Sequence, residues 1–333
     1  NMNIKKIGLT ALAGSLVAAS AYAGDMSVTG SASMKVRHVD GGAANAGKAF
    51  SMGNQLTFSG SGELDNGLNV SLSFVLDQGD DAKTTAIGSG TSTSQGTSPF
   101  DSHSVTVSSD ALGAIKFAGE GGANVQTAID TTAAGDLWDS GFGITAAQDP
   151  KTSAGGDNML SYTLPTLMEG VALSASYTPK GTGAASSQAY AVAYTGVEGL
   201  TLNYASGSDD STAGSESDTT TMKASYAYGP VTVSYSENEF DGAGSAVNTD
   251  QEVESFEIAY TVSDAISVSY GAEDIKTPDN ASDQDIEVSG VVASYTAGGM
   301  TIKGTMISAD NTAHGTAATE DKEQWSLEAS FAF

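Results

Sequence analysis

The sequence predicts an all-β protein: one transmembrane antiparallel barrel of about sixteen strands, with short turns at one rim and long loops at the other. Three observations predict it. Segments with apolar residues at every second position recur from one end to the other. The connections between them alternate between tight turns and long polar loops. Beyond the N-terminal segment, no run approaches the ~20 consecutive apolar residues that a transmembrane helix needs. A mean hydropathy of -0.12 fits such a barrel, because half of each strand faces water.

The N-terminal segment reads differently. Lys5 and Lys6 precede an apolar run over Ile7–Ala19, and Ala21-Tyr22-Ala23 follows as a small-x-small cleavage site. This is the pattern of a secretory signal, so residues 1–23 are assigned to a leader and residues 24–333 to the barrel. The chain has 0 cysteines although an exported protein could form disulfides, so a closed hydrogen-bonded sheet must supply the stability. The formal net charge is -27. Without Lys5 and Lys6, 11 of the 13 basic residues remain against 40 acidic ones, a net -29. Such a chain repels nucleic acid and attracts cations.

The strands follow in order. The first is placed at 25–38, the second at 50–62 and the third at 67–77. In the third, Leu68, Val70, Leu72, Phe74 and Leu76 take one face, and Asn69, Ser71, Ser73 and Asp77 take the other. Strands at 101–109, 114–120, 157–164 and 170–178 come next, the last alternating through Val171, Leu173, Ala175 and Tyr177. The pattern continues at 188–195, 199–206, 219–228, 230–237, 252–262 and 265–273. In 285–296 the apolar phase slips from Ile286 and Val288 to Val291, Ala293 and Tyr295, which reads as a bulge near Gly290. After 299–308, the strand at 323–333 turns Trp325, Leu327, Ala329, Phe331 and Phe333 outward and Gln324, Ser326, Glu328 and Ser330 inward.

The connections set the orientation. Asp65-Asn66-Gly67, Asp110-Ala111-Leu112-Gly113, Gly229-Pro230 and Ala297-Gly298-Gly299 are tight turns after even-numbered strands. Connections after odd strands are long, which assigns the short rim to the periplasm and the long rim to the exterior. The mature chain's eleven tyrosines lie between Tyr162 and Tyr295. Tyr177, Tyr190, Tyr204, Tyr235 and Tyr270 fall near one rim, and Tyr194, Tyr228, Tyr260 and Tyr295 near the other, as two aromatic girdles.

The third long loop, about 121–156, carries Val125, Ile129, Leu137, Trp138, Phe142 and Ile144. The second, about 78–100, is nearly all Gly, Ser, Thr and Asp. A loop with that apolar load belongs against protein, so the third is expected to pack inside the barrel and narrow it. Lys35, Arg37, Lys116, Lys223 and Lys303 have the lumen-facing phase of their strands. A lysine facing lipid at mid-membrane would cost about 2–4 kcal/mol. Glu120, Asp130, Asp136, Asp139 and Asp149 would face them from the third loop. Two readings remain open, a polarised constriction and a generally hydrated lining.

Catalysis has little to work with. His38, His103 and His314 are scattered, and neither Gly-x-Ser-x-Gly nor His-Glu-x-x-His occurs. No cofactor is implied. The acidic run Glu237, Glu239, Asp241 and the pair Asp209-Asp210 could hold calcium or bridge lipopolysaccharide through divalent ions, but fixed ligand spacing is missing. Strands one to five and sixteen contain no tyrosine, and their outward positions include Gly30, Ala32, Gly60, Gly62 and Gly119. Small outward residues allow barrels to approach closely, which places a subunit contact on that sector.

The stretch from Phe50 to Gly60 (FSMGNQLTFSG), continued by Gly62-Glu63-Leu64-Asp65-Asn66-Gly67-Leu68, is similar to the second and third strands of Gram-negative general porins, in their alphaproteobacterial branch. Phe331-Ala332-Phe333 resembles the C-terminal signal that the outer-membrane barrel assembly machinery reads. The resemblance implies a sixteen-stranded homotrimer in the outer membrane, its third extracellular loop folded into a water-filled pore for passive diffusion of small hydrophilic solutes. Such porins usually line one pore wall with several arginines, whereas this chain has only Arg37 and inward lysines. Charge then argues for cation preference, with Asp130, Asp136 and Asp139 outweighing Lys35, Arg37 and Lys116. A solute-specific channel on the same barrel is the alternative. An acidic non-channel surface protein is a third reading, but the Gly-Gly-x-Gly-x-Asp repeats of a calcium-binding solenoid are absent.

Overall fold

The computed structural model describes residues 26–41, 47–77, 100–126, 129, 132–137, 151, 156–179, 186–210, 216–243, 250–280, 282–316 and 320–333. The assigned leader lies outside them. Sixteen antiparallel strands close into one barrel, each paired with its neighbour in sequence and β1 paired with β16. They are β1 Met26–Asp40, β2 Gly47–Glu63, β3 Asn69–Asp77, β4 Ser102–Ser109, β5 Gly113–Glu120, β6 Met159–Thr163, β7 Val171–Thr178 and β8 Ser187–Val197. Then come β9 Leu200–Asp209, β10 Ser217–Tyr228, β11 Val231–Gly242, β12 Gln251–Ser263, β13 Ile266–Lys276, β14 Ile286–Ala297, β15 Met300–Asp310 and β16 Lys322–Ala332.

Closure follows from the solvent. Hydrocarbon offers backbone groups no partners, and a closed ladder leaves no unpaired edge. The seam runs in register from Ser31 opposite Ala332 to Asp40 opposite Glu323. Gly30 and Phe333 close its end, each main-chain N–H donating to the other's carbonyl at 2.7 and 2.9 Å. At the short rim, Gly67 takes a positive φ of 79° and donates to the Leu64 carbonyl at 2.8 Å, a geometry open to glycine at little cost. Side chains alternate as the period-2 pattern requires. Leu72, Tyr204, Tyr235, Tyr270 and Trp325 are exposed on the outer wall. Ser234, Ser236, Ser255 and Ser326 are buried on the inner one.

Two features differ from the sequence expectation. Several strands, among them β11, β13 and β15, extend a few residues farther at the long-loop rim than hydrophobicity suggests, because polar ladder residues beyond the membrane still pair. And there is no bulge at Gly290. β14 pairs continuously with both neighbours, while register shifts occur at His103/Ser104, Tyr194/Val197 and Thr261/Ser263. The phase slip has another cause. Ile286 and Val288 point into the lumen, where they join Val253, Ile275 and Ala309 in an apolar patch with Ala134 and Leu137 of the third loop. Leu137 is 4 % exposed, so the third loop does fold inside the barrel.

Candidate functional site: the lumen constriction

The third loop docks on a row of inner-wall residues that the ladder places side by side. Lys223, Ser236, Ser255 and Glu273 are directly opposite one another across β10, β11, β12 and β13. Each binds the loop segment Thr132–Ala134. Lys223 Nζ donates to the Thr132 carbonyl at 3.2 Å. The main-chain N–H of Ala133 donates to Ser236 Oγ at 2.8 Å, and that of Ala134 to Ser255 Oγ at 2.9 Å. The Thr132 hydroxyl donates to the Glu273 carboxylate, which also accepts from Ser255 Oγ at 3.3 Å. Glu273 is 1 % exposed, and burying a carboxylate demands such partners.

Further bonds fix the rest of the loop. Val125 N–H donates to Ser176 Oγ at 3.2 Å, and Gln126 Nε2 to Thr221 Oγ1 at 3.1 Å. Lys151 is held at both main-chain groups, its N–H by Gln251 Oε1 and its carbonyl by Asn238 Nδ2, each at 3.0 Å. Its ammonium lies 4.6 Å above the Phe240 ring. Burial lowers the Lys151 pKa, and the charges of Asp279 and Asp250 act against that. Apolar packing needs one close approach. A Cβ on Gly271 would stand 2.5 Å from Ala134 Cβ, so only glycine lets the loop lie this close.

Docking aims Asp136 across the lumen. Asp136 adopts a φ of 57°, which Asp tolerates better than most residues. Its carboxylate accepts from Thr132 N–H at 3.0 Å, and its own N–H donates to Thr132 Oγ1 at 2.8 Å. With Lys35, Lys303, Glu257 and Glu328 it lines a cleft of about 240 Å³. Lys35 and Lys303 flank Glu328 directly, on β1, β15 and β16. Lys35 Nζ is 4.0 Å from the Glu328 carboxylate.

The sequence-assigned residues divide accordingly. Asp136 lines the same cleft as Lys35 and Lys303, and Arg37 sits next along that wall, opposite Ser326. Lys223 is spent on the loop backbone. Lys116 lines a separate lumen pocket of about 260 Å³ with Ser161, Thr163 and Asn203. Glu120 departs from its assignment. The register shift at the start of β4 turns it to His103, 3.7 Å away, and His103 stacks against Phe74 on the outer wall. Asp130, Asp139 and Asp149, with Trp138, Phe142 and Ile144, lie outside the described residues. Glu237 clusters with Glu252 and Glu254 rather than along its own run, and Lys276 Nζ lies among them, 2.6 Å from Glu254. Glu257, Glu273, Glu328 and Lys151 went unassigned. The inward phase of Glu328 was visible, but that Lys35 and Lys303 flank it follows only from the register.

A closed barrel of sixteen strands with a loop fixed across its lumen defines a transmembrane channel protein rather than an enzyme. The profile of the Gram-negative porin family matches residues 8–286, and the chain belongs to that family. No curated protein sequence matches significantly. Among solved structures, an anion-selective porin from Comamonas acidovorans is 17 % identical, with a TM-score of 0.61 over 93 % of this chain and 99 % of that one. A Rh. blastica porin variant is 16 % identical, with a TM-score of 0.63 over 93 % and 100 %. A loop-deletion form of the outer membrane protein OmpT of Vibrio cholerae is 13 % identical, with a TM-score of 0.68 over 93 % and 100 %. These likenesses concern the fold.

Proposed function

We propose that the chain forms a water-filled channel in the Gram-negative outer membrane, through which small hydrophilic solutes and ions diffuse passively, cations more readily than anions. The cleft between Asp136 and the Lys35–Glu328–Lys303 wall carries the reading. Its lining keeps a passing solute hydrated. Its three carboxylates, Asp136, Glu257 and Glu328, exceed its two ammonium groups. Proteoliposome swelling tests it. Rates for uncharged sugars should fall smoothly with solute size and rise linearly with concentration. Saturation by one sugar would instead mark a solute-specific channel.

The channel is proposed to work as a homotrimer, exported by its leader and inserted by the barrel assembly machinery through Phe333. Lipopolysaccharide would surround its lipid-facing wall. The contact is placed on β1–β5 and β16, where Gly60 has open space around it and small residues permit close approach. Gly60→Trp is expected to release monomers on unheated gels. Intact trimers, alongside disruption by changes near Tyr226 or Tyr260, would move the contact to the opposite sector.

A further inference from the structure

The outer wall carries three parallel rows toward its long-loop rim, each set by the strand register. The lowest is large and apolar or aromatic: Tyr270, Val291, Met306, Trp325 and His38 are directly opposite one another in turn. The middle row begins with the small residues Ala272, Ser289 and Ser308 and ends with Glu323 and Asp40. The upper row is acidic: Asp274, Glu287 and Asp310. A trough of about 470 Å³ lies over the lower and middle rows, lined by Ser289, Ser308, Met306 and Trp325 and by two carboxylates, Asp40 and Glu323. Its lower lip is exposed on the single chain, Met306 71 % and Trp325 40 %, and its β16 and β1 end borders the sector assigned to the subunit contact.

The charge around this trough is one-sided. Asp274 opposes Glu287, Glu287 opposes Asp310, and Glu323 opposes Asp40. Like charges directly opposite are destabilising, more so where water is scarce. Three lysines lie near among the described residues. Lys322, whose phase is inward, is opposite Ala309. Lys276 is bound to Glu252 and Glu254 at 3.5 and 2.6 Å, and Lys48 stands opposite His38 beyond the far end. The complementary occupant carries a positive charge immediately beside an apolar body.

We propose that this trough binds a lipid whose headgroup carries an ammonium group. The ammonium stands beside Asp40 and Glu323, which line the trough, with Asp310 of the upper row next to them. The first carbons of the lipid cross Ser289 and Ser308 and descend over Met306 and Trp325. A lipid with only a phosphate is repelled by the same carboxylates.

Trp325 reports occupancy. The chain has 2 tryptophans, so Trp138→Phe leaves Trp325 as the sole emitter. The protein is reconstituted in digalactosyl diacylglycerol vesicles with a minor fraction of brominated-chain lipid, bearing either an ammonium headgroup or phosphatidylglycerol. Trp325 quenching should be several-fold stronger with the ammonium lipid. Asp40→Asn, Asp310→Asn and Glu323→Gln together should bring it down to the phosphatidylglycerol level. Neutralising Glu237, Glu239 and Asp241 instead should leave the difference in place. Equal quenching by both lipids would show ordinary boundary lipid and overturn the proposal. So would a preference that survives the first triple change, or one that survives only until calcium is added and then passes to phosphatidylglycerol. Absence of quenching by either lipid would show that a neighbouring barrel covers the trough, and would overturn the proposal as well.

Discussion

Glu273→Ala is expected to loosen the third loop while leaving the barrel closed. The Glu273 carboxylate is buried at the end of the docking row, where it accepts from the hydroxyls of Thr132 and Ser255. Removing it leaves both hydroxyls short of a partner and opens a void beneath the loop. A hydrogen bond to a charged group contributes about 1.5–3 kcal/mol. Losing it shifts the docked-to-undocked ratio of the loop roughly 10- to 150-fold. The barrel itself rests on its ladder, so its heat-induced shift on gels should stay at the parental temperature. Single-channel records should show higher mean conductance and markedly greater open-channel noise. Glu273→Gln keeps an acceptor and should lie between. Quiet, parental conductance in Glu273→Ala would mean that Ser236, Ser255 and the Leu137 contacts hold the loop without the carboxylate.

The strands and their pairing order were legible because period-2 alternation is a direct consequence of a wall with lipid outside and water inside. Leu72, Tyr235 and Trp325 lie outward where the alternation puts them. The interior position of the third loop was legible from Leu137, since apolar residues in a long loop need cover. The one strand that broke the pattern carried the most information. Ile286 and Val288 violate the alternation because their half of β14 faces the docked loop instead of water. A phase slip alone does not separate that case from a bulge. The two become distinct only when an apolar loop segment is available to cover the slipped residues.

The charged cleft was half legible. Phase places Lys35 and Lys303 inward, but the register that sets Glu328 between them depends on the seam, which no local pattern encodes. Glu273 looked like any strand carboxylate, since its role requires Thr132 from 141 positions away. Glu120 was misplaced for the converse reason. Its inward phase holds along β5 only until the register shift opposite His103.

Potassium is expected to pass more readily than chloride, with Asp136 as the switch. The cleft holds Asp136, Glu257 and Glu328 against Lys35 and Lys303, one excess negative charge beside the docked loop. Charges at the outer mouth act over about 8–10 Å in physiological salt, so their contribution fades as salt rises. Charges lining a narrow cleft interact at shorter range and in less water, so theirs persists. The cation bias should be largest in dilute salt and remain measurable in concentrated salt. Asp136→Asn makes the cleft neutral. Asparagine also keeps an oxygen for the Thr132 N–H and tolerates the positive φ, so the loop stays docked. Its reversal potential should move toward zero with conductance little changed. Asp136→Lys gives the cleft one excess positive charge and should tip it toward chloride. Lys303→Gln should strengthen the potassium bias. Reversal potentials in a salt gradient decide it, and anion preference in the unmodified protein would mean that Lys35, Lys303 and Arg37 govern the pore.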